Sequence, residues 1–408
     1  MENIILNCPK FSDIIIDSDT VGEKMSKKTI PIFLAFLIMG FGDAVGPFVG
    51  LAKNEFHLSN TLAFIIPFLG FLMFGLLSVP MGIYQDRKGK KFILELGLII
   101  ALLGLIIPIF GLNSFPKFLL TVLLLGIGAT ILQVAGNPIM RDVSEEGKYS
   151  RNLSLGQFVK AIGSLSGPII PVIAVRYFNA DWRVMFPIYS FFILITIISV
   201  ASLKIEEKEE DNQKTASLKS CLSLLKNRYV LMMVFGIFLY VGAEVSISSG
   251  IPVHLKSQFG IDIQKLGLLG TGLFFTALVV GRFLGGVILN WIKAEKFFII
   301  TSFISVISLI GLFTGIKFVV IVSVIFIGLG FANIFPLIFS ITIERMPEKT
   351  NELSGLMITA IVGGAILPPI MGFLSDIFST TIGFLVPVVA ILYILWLALS
   401  KKNREVKA

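Results

Sequence analysis

Long apolar runs alternate with short polar breaks along nearly the whole chain. Runs of about 20 apolar residues, the length that crosses a hydrocarbon core about 30 Å thick, recur between Thr29 and Leu399. They lack the strict apolar–polar alternation of barrel strands. The pattern predicts twelve membrane-spanning helices, at 29–52, 59–84, 91–111, 116–141, 149–177, 182–203, 229–255, 263–290, 295–314, 317–343, 351–377 and 381–399. The longest stretch between spans, 204–228, begins "KIEEKEEDNQKTAS" and reads as a polar linker between two sets of six. The expected organisation is an N-terminal segment 1–28, a six-helix bundle 29–203, the linker 204–228, a second six-helix bundle 229–399 and a tail 400–408.

Composition agrees with this class. Of 408 residues, 55% are hydrophobic and 15% charged, with mean hydropathy +0.91, whereas soluble domains carry about 25% charged residues. The net charge of +8 reads as membrane topology rather than nucleic-acid binding. With the N-terminus inside, the inside segments and span ends hold 25 Lys and Arg against 7 outside. Cations gather on the cytoplasmic side, so both termini and the linker are expected in the cytoplasm of a multi-pass protein of the cell (inner) membrane. Cys8 and Cys221 fall on that side, and no disulfide is expected. The polar N-terminus up to Lys28 does not read as a signal peptide.

The halves echo each other. Helix 5 carries "GQFVKAIGS" and helix 11 "GLMITAIVG", which aligns Gly156 with Gly355 and Lys160 with Thr359. Helix 1 carries "GFGDAV" and helix 7 "YVGAEVS", pairing Asp43 with Glu244. Helix 2 ends "GIYQDRKGKKF" and helix 8 "GVILNWIKAEKF", with Asn290 where Asp86 stands in the first half. Helices 4 and 10 share "GIG" and "GLG" ahead of Pro138 and Pro336. Matches in one order describe two parallel six-helix repeats, the plan of a rocking transporter.

On these residues the chain resembles the major facilitator superfamily. "GIYQDRKGKK", from Gly82 to Lys91, is similar to its loop signature, and the resemblance covers all twelve spans. More narrowly, "QVAGNP" (133–138), "YVGAEVSISSGIP" (240–252), "GLGFANIFPLIFS" (328–340) and "SGLMITAIVGGAILPPIMGFLSD" (354–376) resemble the fucose:proton symporter family of sugar permeases. The resemblance implies a gate in which Asp86 caps the start of helix 11 and bonds Arg87. It also implies proton handling by the helix 1 aspartate, Asp43, and a helix 4 glutamate. That glutamate position is Gln133 here. Gln157 matches a family glutamine, but Lys160 stands where the family has asparagine.

A charge in a span needs a reason, since its insertion costs at least about 2.5–3.5 kcal/mol. Asp43, Lys160 and Glu244 lie near the midpoints of predicted helices 1, 5 and 7. Each either locks helices together or lines a central cavity. Asp43 and Lys160 are expected to touch and to serve ion coupling. Gln133, Asn137, Gln157, Lys160, Tyr240, Glu244 and Asn333 are the candidate substrate-binding residues. Gln133 and Asn137 share a helix face at i, i+4 spacing. Tyr240, with Phe36, Phe41 and Phe335, offers aromatic surface for a sugar ring. Arg282 reads as a structural residue toward the cytoplasmic side of helix 8. His57 and His254 are expected near the outer surface. Gly46-Pro47, Gly250–Pro252 and Pro368-Pro369 are expected to interrupt helices 1, 7 and 11.

No phosphate loop, metal-ligand cluster or nucleophile with a nearby histidine stands out, so no enzyme, cofactor or metal is expected. The expected function is import of a monosaccharide by alternating access, coupled to protons. The rivals are an acidic sugar held through Lys160, sodium coupling or facilitated transport. A membrane enzyme or receptor is the rival from another class, and it lacks the large soluble loops it would need. The expected partners are the sugar and the bilayer, with no nucleic acid and a monomeric chain.

Overall fold

The structure, a computed structural model, describes residues 29–43, 52, 55–57, 60–112, 114–203, 218–260 and 272–400. The twelve spans are α1 (Thr29–Asp43), α2 (Asn60–Lys88), α3 (Lys90–Ile109), α4 (Phe115–Asp142), α5 (Tyr149–Phe178), α6 (Met185–Ala201), α7 (Arg228–Phe259), α8 (Leu273–Ile288) and α9 (Ala294–Gly311), then two broken helices and α12 (Leu385–Leu399). The tenth span is split into α10a (Lys317–Phe331) and α10b (Ile334–Arg345), and the eleventh into α11a (Thr350–Thr359) and α11b (Gly363–Ile377). Among the described residues, nine helical stretches are long and apolar enough to cross a membrane, and α1 and α8 are shorter apolar helices. With α5 these make the twelve. Residues 44–51 of the predicted first span and 263–271 of the eighth lie outside the described residues.

Helices α1–α6 pack largely on one another, through α3 on α4, α1 on α5 and α2 on α4. Helices α7–α12 do likewise, through α7 on α11b, α9 on α10a and α7 on α12. The two sets meet chiefly along α2–α11a and α5–α8. Lipid tails are as apolar as leucine, so such contacts depend on close packing and on polar bonds between helices. Both are present. The ammonium of Lys90, at the start of α3, stands 2.7 Å from the Asp142 carboxylate at the end of α4, with both side chains buried. The turn that delivers Lys90 needs Gly89, whose φ of 87° lies in the left-handed region that a Cβ disfavours.

Two expectations about helix breaks need correcting, and the third, at Gly46-Pro47, lies outside the described residues. α7 runs through Gly250–Pro252, and α11b runs through Pro368 and Pro369, without interruption. Proline removes one backbone donor, which a packed membrane helix tolerates. The break in the eleventh span lies earlier, in the tight turn Ala360–Val362. The tenth span breaks at Ala332–Asn333, four residues ahead of Pro336, whose ring crowds the Ala332 carbonyl and offers it no N–H; Asn333 has φ −112° and ψ 1°. An asparagine side chain competes with the backbone for hydrogen bonds, and here neighbouring helices take up the freed groups. The Tyr240 hydroxyl donates to the Phe331 carbonyl at 2.9 Å, and Asn333 Nδ2 donates to the Gly281 carbonyl at 2.7 Å.

Candidate transport site

The α2–α11a crossing is built from glycine. A Cβ on Gly82 would stand 2.8 Å from the Asn351 carbonyl oxygen and 3.2 Å from the Gly355 Cα. Backbone meets backbone, and any side chain would part the helices. Beyond the crossing, Asn351, near the start of α11a, donates to Asp86 Oδ1 at 3.4 Å and accepts from Gln85 Nε2 at 2.5 Å. A carboxylate suits that place, where free N–H groups and the helix dipole attract it. Arg87 is exposed. The repeat places the same relation in the other pair of helices: Arg151, at the start of α5, donates to Asn290 Oδ1 at 3.1 Å, at the end of α8. Ser150 and Ser340 meet at 2.8 Å, and Arg141 donates to Thr350 at 3.1 Å. These bonds close the linker side of the molecule. The linker helix Leu218–Leu224 covers the crossing, with Cys221 buried against Val79 and Leu356.

Deeper in, α4, α5 and α10 carry buried amides that the chain leaves incompletely bonded. Gln133, Asn137, Gln157 and Asn333 are each at most 2% exposed. Gln133 Oε1, both side-chain polar atoms of Asn137, Gln157 Nε2 and Asn333 Oδ1 have no hydrogen-bond partner within the chain. Ser154 Oγ, one turn before Gln157, is in the same position. Buried polar groups are nearly always paired, and such a group left alone costs about 1–3 kcal/mol. Donors and acceptors are mixed and uncharged, the equipment for a neutral polyhydroxylated solute.

Sequence and structure differ most over the charges. Asp43 ends α1, and its side chain lies outside the described residues. Its backbone lies one turn beyond Gly40, where α1 and α5 touch: a Cβ there would overlap the Lys160 carbonyl oxygen and stand 2.8 Å from the Gly163 Cα. Lys160 is buried on α5. Glu244, midway along α7, pairs with Arg282 at 3.5 Å. Arg282 stands in the linker-side half of α8, and its guanidinium reaches across to Glu244 at the middle of α7. The sequence signal was a lone arginine in "ALVVGRFLGG", which demands a partner without naming it. Tyr240 is fully buried, with its hydroxyl engaged at the α10 break, and Phe41 stacks on Tyr189 at 3.7 Å between centroids. His254, five residues before the end of α7, is buried in the second half against Phe384, and His57 is exposed. Among the described residues no group of three or more His, Cys, Asp or Glu is placed to hold a metal ion.

A closed glycine crossing between α2 and α11a, a second polar contact between the halves along α5–α8, and a polar mid-depth between two six-helix sets form the frame of a rocking carrier. The family model of the Major Facilitator Superfamily matches residues 32–361. This chain is a member of that superfamily. It is 29% identical over 385 residues to a glucose/galactose transporter of Brucella abortus, covering 91% of this chain and 92% of the relative. It is 21% identical over 387 residues to an L-fucose-proton symporter of Haemophilus influenzae, covering 84% and 87%. Among solved structures, the superfamily transporter FucP in the outward conformation superposes with a TM-score of 0.79 at 20% identity, covering 93% of this chain and 100% of that one. The facilitator fold is thus shared along nearly the whole length, and the protein is a multi-pass membrane protein.

Proposed function

We propose that this facilitator imports a neutral monosaccharide across the cytoplasmic membrane, coupled to protons. One observation carries the reading: the buried, incompletely bonded amides of Gln133, Asn137, Gln157 and Asn333, which match hydroxyl groups and carry no charge. The relatives named glucose/galactose transporter and L-fucose-proton symporter support the substrate class and the ion. Topology follows from the excess of cations on the linker side. We take that side as the cytoplasmic one, so the closed α2–α11a crossing shuts the carrier toward the cytoplasm.

Proton coupling falls to Asp43 and Lys160. The helix 4 position that would carry a second acid is Gln133, which does not titrate. Two opposite charges in apolar surroundings cost least as a pair, and alternating access would break and remake that pair. The test is uptake of neutral and acidic sugars into vesicles under an imposed pH or sodium gradient. Accumulation should follow the pH gradient without sodium, and Lys160→Asn should lose this response while still binding a neutral sugar. Strict sodium dependence overturns the coupling, and preference for an acidic sugar lost in Lys160→Asn establishes the lysine as an anion site instead.

A further inference from the structure

Arg282 has more partners than an ordinary structural charge needs. Its Nη2 lies 3.5 Å from the Glu244 carboxylate on α7, and its Nε donates to the Ala332 carbonyl, freed at the α10 break, at 3.4 Å. Both acceptors belong to its own half. Its Nη1 donates to the Gln157 carbonyl on α5, in the other half, also at 3.4 Å. A helical carbonyl retains a second lone pair for such a donor. Neighbouring residues continue the contact toward the linker side. Phe158 and Phe283 stand 5.3 Å apart, and Leu155 packs on Gly286.

The repeat shows that this contact is not packing common to both crossings. Arg282 lies eight residues before Asn290, and the residue eight before Asp86 is Ser78, whose hydroxyl bonds within its own helix to Phe74. One crossing is sealed by glycine, the other by a guanidinium. Its charge is compensated by Glu244 whether or not the third bond is made. The bond across the halves can therefore break without stranding an ion in an apolar interior, which would be costly.

We propose that Arg282, held by Glu244 and the Ala332 carbonyl, is the clasp that stabilises the linker-side-closed state and releases when α5 parts from α8. Gln157 ties it to the transport site, because one residue offers its carbonyl to the clasp and its buried amide to the solute. Arg282 is thus a positioning residue for the conformational change. The proposal rests on the alternating-access reading and not on the identity of the solute.

The experiment uses the full chain with Cys8 and Cys221 changed to serine and with Ser150→Cys and Ser340→Cys added. The hydroxyls of those two serines lie 2.8 Å apart when the linker side is closed, so a short bifunctional thiol reagent reports that state. Arg282→Gln should lower the closed-to-open ratio about 10-fold, the weight of one bond from a charged donor. Arg282→Lys should recover part of the loss. The double variant E244Q/R282Q, which leaves no lone charge to unfold the protein, should match the single one. Tyr393→Phe, which removes the 3.1 Å bond from α12 to the Met232 carbonyl on α7 but none between the halves and none to Arg282, should lower the melting temperature and leave the yield unchanged. Parental cross-linking in both Arg282→Gln and the double variant overturns the clasp, as does an equal loss in Tyr393→Phe. A parent that binds no sugar, with the Arg282 shift intact, sinks the sugar reading and leaves the clasp standing.

Discussion

Gly82 and Gly355 close the linker side by backbone contact, and each is the obstacle to a side chain on the other. A Cβ on Gly355 would stand 2.9 Å from the Ser78 carbonyl and 3.5 Å from the Gly82 Cα. Replacing either by alanine should therefore weaken the closed state by about 1–3 kcal/mol, the range for overpacking a fitted contact. The check is the equilibrium between closed and open forms by distance measurement across the linker side. Equal distributions in Gly82→Ala and the parent would refute the glycine gate.

Asp86 should matter for switching and not for holding solute, because it meets Asn351 at the mouth of the crossing. Asp86→Asn is expected to slow transport about 10-fold or more, since a bond to a charged group is worth about 1.5–3 kcal/mol. Equilibrium binding should stay near that of the parent. Loss of binding with a normal conformational distribution would place Asp86 in the site instead.

The buried amides make a graded prediction. Single alanine changes at Gln133, Asn137 and Asn333 should each weaken sugar binding roughly 2- to 12-fold, the weight of one neutral hydrogen bond. Thermal shift or calorimetry on purified protein measures it. Three variants that bind like the parent would mean that the solute sits elsewhere.

Lys90 and Asp142 should behave as a buried pair. Lys90→Met alone leaves a carboxylate buried and should cost about 3–5 kcal/mol, whereas K90M/D142L should restore most of the melting temperature. Additive losses would show that the two residues do not depend on each other.

Cys221 offers a native reporter of the gate. Burial, and then the nearby Glu352 carboxylate, push its thiol up to about 11. The thiolate is the reactive form, so maleimide labelling of a Cys8→Ser variant should be slow at neutral pH and quicken as pH rises. Gly82→Ala should quicken it at constant pH by lifting the linker helix off Val79 and Leu356. Fast labelling of the parent at neutral pH would contradict the packing of this helix.

The twelve spans were legible because each rests on a local requirement: in a bilayer the backbone must satisfy its own hydrogen bonds, so about 20 apolar residues become a helix whatever lies beside them. The loop motif was legible for the same reason. Gly89 must turn left-handed, and Gly82 must leave room. The break at Ala332–Asn333 has a local cause in Pro336, which has no N–H for the Ala332 carbonyl, but the groups that take the freed carbonyls, Tyr240 and Arg282, are distant in sequence and were not legible. Pro368 and Pro369 misled for the converse reason, since packing in the bundle tolerates a missing donor that a lone helix would not.

Charge divides in the same way. The sequence alone determined that Lys160, Glu244 and Arg282 stand in apolar stretches and need compensation, because the cost of a charge there belongs to the residue and the bilayer. Only the tertiary structure decided that Glu244 takes Arg282 and that the same guanidinium reaches Gln157 in the other half. Pairing is a matter of distance and direction between helices, and those are set when α7, α8 and α5 pack together.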